Sequence, residues 1–345
     1  MVILNHCVGQ NHRHQQTYGL HATPRNSVIL IDEVQRIPTI LNTVQALTDG
    51  PENYRFLLTG SSARKLKRGQ VNLLPGRLFR YDLFPLTYWE LTGQWDLQKA
   101  LTRGTLPEIY LNDYGPELLG NYVDSYLREE IQAEALTRNI QNFARFLDVA
   151  AHASGQVLNY SQLASDSEIP KETLRRYFDI LEDKLLVHRI PGFVAIGGSR
   201  KAIQKEKILF FDMGVRNAVL GHHKNVFSDP QLGSLFEQLI INQTIAFAKY
   251  HRLDWKFHFY RDDLKREVDL IVDRGSDILA VEIKYGRKVD PKALAGLTAF
   301  QAVAKKKVVP ILVYRGMEPQ RRGDCLILPY QQFFDQLAKK HEELE

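Results

Sequence analysis

The chain has 345 residues, 44% of them hydrophobic, so it is long enough for two or three domains with buried cores, and extensive disorder is not expected. Its 45 Lys and Arg residues against 40 Asp and Glu give a net charge of +5, too small by itself to establish a polyanionic partner. Cys7 and Cys325 alone support neither a disulfide scaffold nor a thiolate zinc site, which favours a cytoplasmic location. No apolar run approaches the roughly 20 residues of a membrane span, so we predict no membrane association.

Residues 1–27 differ in composition from the rest of the chain. They contain four of the eleven histidines, no lysine and no apolar period. Cys7 and these histidines match no recognised zinc-ligand spacing, so an unstructured leader is favoured over a metal site.

The next segment pairs two short apolar runs with polar ends. Residues 28–31 lead directly into Asp32 and Glu33, and a helical stretch separates them from a second run that ends in Thr59. This pattern is typical of a parallel α/β sheet with a polar site at the carboxyl ends of its strands. In a P-loop ATPase such acids would hold Mg²⁺ and polarise water, while Thr59 and Arg77 would contact the phosphates. The alternative is a strand that ends in solvated acids.

The phosphate-binding loop of such an ATPase is missing from the sequence. No G-x-x-x-x-G-K-[ST] motif occurs, and the first lysine is Lys65. Mg²⁺ ligands alone do not select a nucleotide, so we expect weak or no ATP binding and predict a partial ATPase core.

A helix-turn-helix pattern follows further along the chain. A short helix begins at Tyr160, Ile169 and Pro170 mark a turn, and a second helix covers 171–184 before an apolar strand, which is the outline of a winged helix. The second helix carries basic residues that would contact DNA phosphates: Lys171, Arg175 and Arg176. Acidic residues on the same helix leave a protein-binding or interdomain module as an equal alternative.

The last part of the chain places charged residues inside apolar strands. Glu282 and Lys284 alternate with apolar residues and so share one face, while Asp269 lies in the preceding apolar strand. In a hairpin, Asp269 and Glu282 would converge on one Mg²⁺, Lys284 would orient water or stabilise a pentavalent phosphate, and Glu237 on the preceding helix would add a carboxylate. An ion pair at a sheet edge and a degenerate nuclease-like fold used for binding remain alternatives.

With these motifs in view, the chain resembles a family of prokaryotic AAA-type ATPases whose C-terminal half is a winged helix followed by a PD-(D/E)xK nuclease-like domain. The resemblance covers about residues 27–315 and rests on an ordered series of segments: 28–35, 56–62, 74–77, 104–108, 207–212, 233–237 and 281–284. It implies Asp32 and Glu33 for Mg²⁺ and water, Arg77 as an arginine finger, ATP as a cofactor, and nuclease-type roles for Glu237, Asp269, Glu282 and Lys284.

We therefore predict an α/β protein with a leader (1–27), a partial P-loop AAA-type core (28–95), a helical linker and winged helix (96–200), and a restriction-endonuclease-like domain (201–345). The predicted function is that of a DNA-associated ATPase-family protein with a nuclease-like domain that uses Mg²⁺. The competing hypothesis is a non-catalytic regulatory protein that binds DNA or protein through the winged helix.

Overall fold

The computed structural model describes residues 26–34, 37, 39–51, 54–60, 78–127, 140–194, 205–222 and 225–342. These residues form two compact units, one comprising the chain up to residue 83 with 180–185, and the other comprising 84–179 and the chain from 186 onwards. Arg77 and residues 1–25 of the predicted leader lie outside the described part. None of the helices within it combines the length and the apolar character needed to cross a bilayer.

The first unit contains a small parallel sheet. Strands β1 (Val28–Ile31) and β2 (Arg55–Leu58) pair in parallel, and helix α1 (Ile40–Thr48) connects them. Leu41 and Val44 on α1 are buried together with Phe56 and Leu58 on β2. The prediction of a parallel α/β arrangement in this segment is confirmed.

The second unit begins with a helical region. Short helices are followed by three longer ones, and aromatic rings of α5 and α7 pack against one another at centroid distances of 4.8–5.4 Å. Asn159 caps α6 by accepting hydrogen bonds from the amides of Ser161 and Gln162. The elements are α2 (Leu97–Arg103), α3 (Pro107–Leu111), α4 (Gly115–Asn121), a π-helical segment (Tyr122–Leu127), α5 (Ile140–Ala153), α6 (Tyr160–Ser167) and α7 (Lys171–Asp183), of which residues 180–183 are grouped with the first unit.

A β-hairpin follows the helices. Strand β3 (Val187–Pro191) pairs antiparallel with β4 (Glu206–Phe210), and helix α8 (Met213–Val219) comes next. The predicted domain boundary between residues 200 and 201 falls between these two strands. β4 pairs with β3 and, at Lys207, also with Val157 from the helical region.

Two segments of the family resemblance, 104–108 and 207–212, contact each other where α2 meets α8. Asp212 caps α8 through the amide of Val215 and also accepts a hydrogen bond from the amide of Thr105 at 2.7 Å. Gly104 has φ +76°, and a Cβ there would lie 2.0 Å from Asp212 Oδ1. Gly214 approaches the carbonyl of Arg103 so closely that its own Cβ would clash. These motif residues therefore join the helical region to the elements that follow it.

The rest of the second unit is a six-stranded mixed sheet with helices on both faces. One face packs against α9 and α11 and the other against α10, because successive residues of β6 and β7 point to opposite sides. The strand order is β5-β6-β7-β8-β10-β9, antiparallel from β5 to β7 and parallel from β7 through β8 to β10. The elements are α9 (Asp229–Tyr250), β5 (Lys256–Arg261), β6 (Glu267–Asp273), β7 (Asp277–Lys284), α10 (Ala295–Val303), β8 (Lys307–Tyr314), β9 (Gln320–Arg322), β10 (Cys325–Pro329) and α11 (Tyr330–Glu342).

Candidate functional site

The first predicted site lies at the carboxyl ends of β1 and β2. Thr59 donates a hydrogen bond from its hydroxyl to Asp32, and the amide of Glu33 donates to the same hydroxyl at 3.3 Å. Glu33 has φ +53°, a backbone conformation that turns the chain sharply after the strand. The structure therefore brings Asp32, Glu33 and Thr59 together, whereas Arg77 lies outside the described residues.

The second predicted site lies on β6 and β7, which form the expected hairpin. Leu270 pairs with Val281, so Asp269 and Glu282 lie one residue beyond this pair on neighbouring strands. Each of the two acids is only 6% exposed. β7 is the third strand of six, so these charges lie within the sheet and not at its edge.

Lys284 joins the two buried carboxylates. Its ammonium lies 2.5 Å from Glu282 Oε1 and 3.7 Å from Asp269 Oδ2. Asp269 Oδ2 also accepts a hydrogen bond of 2.8 Å from the amide of Ile283. The ion pairs considered as an alternative in the sequence are thus present, and they place both carboxylates around one cation.

Lys207 is a second lysine of this cluster, and sequence reasoning missed it. It lies on β4, is 3% exposed, and contacts Glu237 Oε1 at 3.0 Å and Glu267 Oε1 at 2.7 Å. Glu237 projects from α9 and Glu267 begins β6. A lysine within an apolar strand is the same signal that identified Glu282, but we used this segment only for its family resemblance. We name the six residues Lys207, Glu237, Glu267, Asp269, Glu282 and Lys284 the carboxylate–lysine cluster.

Burial and the mutual charges of the cluster shift the pKa values of its members. Burial and the charge of Asp269 raise the pKa of Glu237 to about 7 and that of Glu282 to about 8, although Lys207 and Lys284 oppose the shifts. Burial alone would lower the pKa of each lysine, but the surrounding carboxylates outweigh it and raise both values. Both ammonium groups are therefore charged at neutral pH, while Glu237 and Glu282 hold protons more tightly than ordinary carboxyl groups.

The cluster reaches the protein surface on one side. The side chains of Lys284, Glu267 and Glu237 are 42%, 28% and 22% exposed, whereas Asp269 and Glu282 form the buried base. Lys284 is therefore the member of the cluster that is most accessible to a ligand.

Two acids of the cluster fit a magnesium ion. Within the described ranges, no group of three or more His, Cys, Asp or Glu residues is arranged as a metal site. Mg²⁺, however, commonly takes only one or two carboxylates and completes its shell with water and phosphate oxygens. Glu282 Oε2 is buried and has no hydrogen-bond partner among the described residues, so Glu282 and Asp269 are the pair that could hold the ion.

The three basic residues predicted to bind DNA lie on α7 and are all exposed. Arg175 stacks over the Tyr160 ring at 5.0 Å, which ties α7 to α6. Asp179, one of the acids that offset this basic face in sequence, pairs with Arg189 at 2.6 Å. Its charge is therefore compensated by a neighbouring strand, whereas Glu172 remains exposed beside Lys171 on the same helix.

Comparison with protein families divides the chain into three matched segments. Residues 7–92 match an AAA domain, residues 94–225 match a domain of unknown function (DUF8612), and residues 232–333 match a second domain of unknown function (DUF4143). The first match supports an AAA-type ATPase affiliation for the N-terminal part, and it begins within the predicted leader.

Curated relatives are distant in sequence. An uncharacterised protein of Mycobacterium tuberculosis is 27% identical over 75% of this chain and 59% of its own length. One from Haemophilus influenzae is 23% identical over 74% of this chain and 65% of its own, and one from Methanocaldococcus jannaschii is 22% identical over 93% and 73%. The chain thus spans about three fifths of the length of the mycobacterial relative.

Among solved structures, a half-complex of Thermococcus gammatolerans McrB AAA+ hexamers with bound McrC is similar to part of this chain. The match covers 59% of this chain and 53% of the other, with 10% sequence identity and a TM-score of 0.24.

Proposed function

We propose that this protein is a DNA-associated member of the AAA-type ATPases whose second unit hydrolyses phosphodiester bonds with a divalent cation. The convergence of Asp269, Glu282 and Lys284 carries the proposal. Charged groups inside a sheet are costly unless they are paired or bind a ligand, and of these three Lys284 is 42% exposed to solvent.

Each residue of the site has a distinct role in this proposal. Asp269 and Glu282 hold the cation from neighbouring strands, and the amide of Ile283 fixes the orientation of Asp269. A Mg²⁺ ion at this position would polarise a phosphate oxygen and supply a coordinated water. Lys284 is the most exposed charge of the cluster and would orient the attacking water or stabilise the charge that develops on phosphorus.

The helical region would supply the contact with DNA. Helices α5, α6 and α7 followed by the β3–β4 hairpin have the element order of a winged helix. The exposed residues Lys171, Arg175 and Arg176 would contact phosphate oxygens, which positions a duplex without reading its sequence.

A cleavage assay tests the enzymatic part. The full chain is incubated with Mg²⁺ or Mn²⁺ and with single-stranded, double-stranded and branched DNA and RNA. We expect metal-dependent cleavage that Glu282→Ala and Lys284→Ala each reduce by about 100-fold or more, because Glu282 would hold the cation and Lys284 would stabilise the charge on the reacting phosphate. Lys306→Ala is the matched control, since Lys306 pairs with Asp273 on β6 away from the cluster. Absence of metal-dependent cleavage of every substrate would reject the nuclease proposal.

A non-catalytic protein that binds DNA or another protein is the second candidate. The observation in its favour is that Lys207 and Lys284 already contact the carboxylates, as in a structural ion-pair network. A gel-shift assay over a range of salt concentrations separates the two DNA-binding hypotheses from protein binding. No shift at low salt would remove both and leave protein binding.

A further inference from the structure

Lys207 occupies an unusual position for a lysine. Its ammonium is almost fully buried between Glu237 and Glu267, and it lies 5.3 Å from the centre of the Phe259 ring. Lysine is rarely buried to this extent unless its charge is compensated. Pairing of β4 with β3 fixes the backbone of Lys207, and the contacts with Glu237 and Glu267 position its ammonium.

The cluster divides into two halves with one lysine each. Lys284 contacts Asp269 and Glu282, whereas Lys207 contacts Glu237 and Glu267. Arg261 Nε lies 3.8 Å from Oε2 of Glu267, the oxygen that Lys207 does not contact. Lys207 is therefore the main positive charge facing Glu237.

We infer that Lys207 is a built-in cation that takes the place of a divalent ion in the Glu237–Glu267 half of the cluster. Two carboxylates from different elements that face one small cation are oxygen groups of the kind that Mg²⁺ or Mn²⁺ takes as ligands. With Lys207 present, this half is closed to metal, and the chain binds one divalent ion fewer than its carboxylates can hold.

The inference deepens the proposed nuclease but does not depend on catalysis. It concerns how many ions bind, and the count can be compared between variants whether or not the protein cleaves DNA. Replacing Lys207 by a neutral residue removes the positive charge from the Glu237–Glu267 half while both acids remain. The extra ion is therefore expected in such a variant even if the wild type binds none.

Lys207→Met provides the test because methionine keeps most of the stem against Phe259 and removes the charge. Bound Mn²⁺ is counted in the full chain by electron paramagnetic resonance. We expect one more Mn²⁺ per chain than in the wild type, and we expect Glu237→Gln in the Lys207→Met background to remove it. Lys306→Met, which deletes an exposed lysine paired with Asp273, should leave the count unchanged.

Lys207→Gln is a second neutral variant with a polar end that can still hydrogen-bond to the two glutamates. If either neutral variant folds, by circular dichroism, and binds no more Mn²⁺ than the wild type, the inference is overturned. If neither folds without metal, Mn²⁺ must restore the native spectrum at an ionic strength where NaCl does not. Failure of that rescue also overturns the inference, whereas absence of cleavage by the wild type together with an increased ion count in the variant would reject only the nuclease.

Discussion

The two units both place acids next to apolar strands, but in different ways. In the first unit Asp32 is exposed just beyond the end of β1, where water solvates its charge at little cost. In the second unit Asp269 and Glu282 lie inside a central hairpin, where each charge requires a partner. An acid after a strand therefore says little about function, whereas an acid within a buried strand indicates a compensating cation or a ligand.

Removal of Lys207 should have the largest effect on stability. Lys207→Ala leaves Glu237 and Glu267 without their shared ammonium, and breaking a buried ion pair on one side costs about 3–5 kcal/mol. Lys306→Ala breaks an exposed pair with Asp273 and should cost about 1 kcal/mol or less. Urea unfolding measures both variants. An equal decrease in the free energy of unfolding in both variants would mean that the buried and the exposed lysine contribute equally to stability, which would contradict this account.

The pH dependence of stability should come mainly from the buried acids. The pKa values of Glu237 and Glu282 are raised from the usual 4.5 to about 7 and about 8. At a pH between the unfolded and the folded pKa of each group, the folded protein therefore binds more protons than the unfolded chain. The free energy of unfolding should therefore fall as pH rises from about 5 to 8, by up to about 1.4 kcal/mol per pH unit for each group.

Glu282→Gln removes one of these groups and should flatten this slope in urea unfolding at a series of pH values. Glu172→Gln, at an exposed position on α7, is the control and should keep the slope of the wild type. A slope that Glu282→Gln leaves unchanged would show that Glu282 is ionised throughout this range in the folded protein.

The basic face of α7 should have a smaller effect, visible only in DNA binding. Arg175→Ala and Arg176→Ala each remove one phosphate contact and should each reduce the slope of log K against log salt by about 1. Lys256→Ala, on β5 outside this face, is the control. Unchanged salt slopes in both arginine variants would exclude α7 as the DNA-binding surface.

We expect the smallest effects in the first unit, both for nucleotide binding and for the stability change on substitution. A fluorescent ATP analogue should bind weakly or not at all, since the sequence has no Walker A motif, and Asp32→Ala should change stability by less than about 1 kcal/mol. Fluorescence anisotropy and urea unfolding measure the two effects. Micromolar affinity for the analogue would show that this chain binds nucleotide without that motif.

Much of the fold followed from the sequence pattern. Short apolar runs located β1, β2, β6 and β7, and alternation placed Glu282 and Lys284 on one face. The pairing of β4 illustrates the limit of this reasoning. The partner of β4 is set by long-range hydrogen bonds to β3, and no local pattern in the apolar run of β4 specifies them.

The sequence predicted only those residues of the site that lie close together along the chain. Asp269, Glu282 and Lys284 lie on one hairpin, so their spacing along two strands was enough to bring them together. Lys207 comes from a strand 60 residues earlier, and its contact with Glu237 depends on how β4 packs against α9 and β6. Such a contact between distant segments can be seen only in the folded structure.

A crystal soaked in Mn²⁺ tests the central claim most directly, through anomalous scattering at the manganese edge. The account predicts one peak in the wild type, within coordination distance of Asp269 and Glu282 and accompanied by displacement of Lys284 from Glu282. An absence of density between these acids, with Lys284 still paired to Glu282 at saturating Mn²⁺, would contradict it.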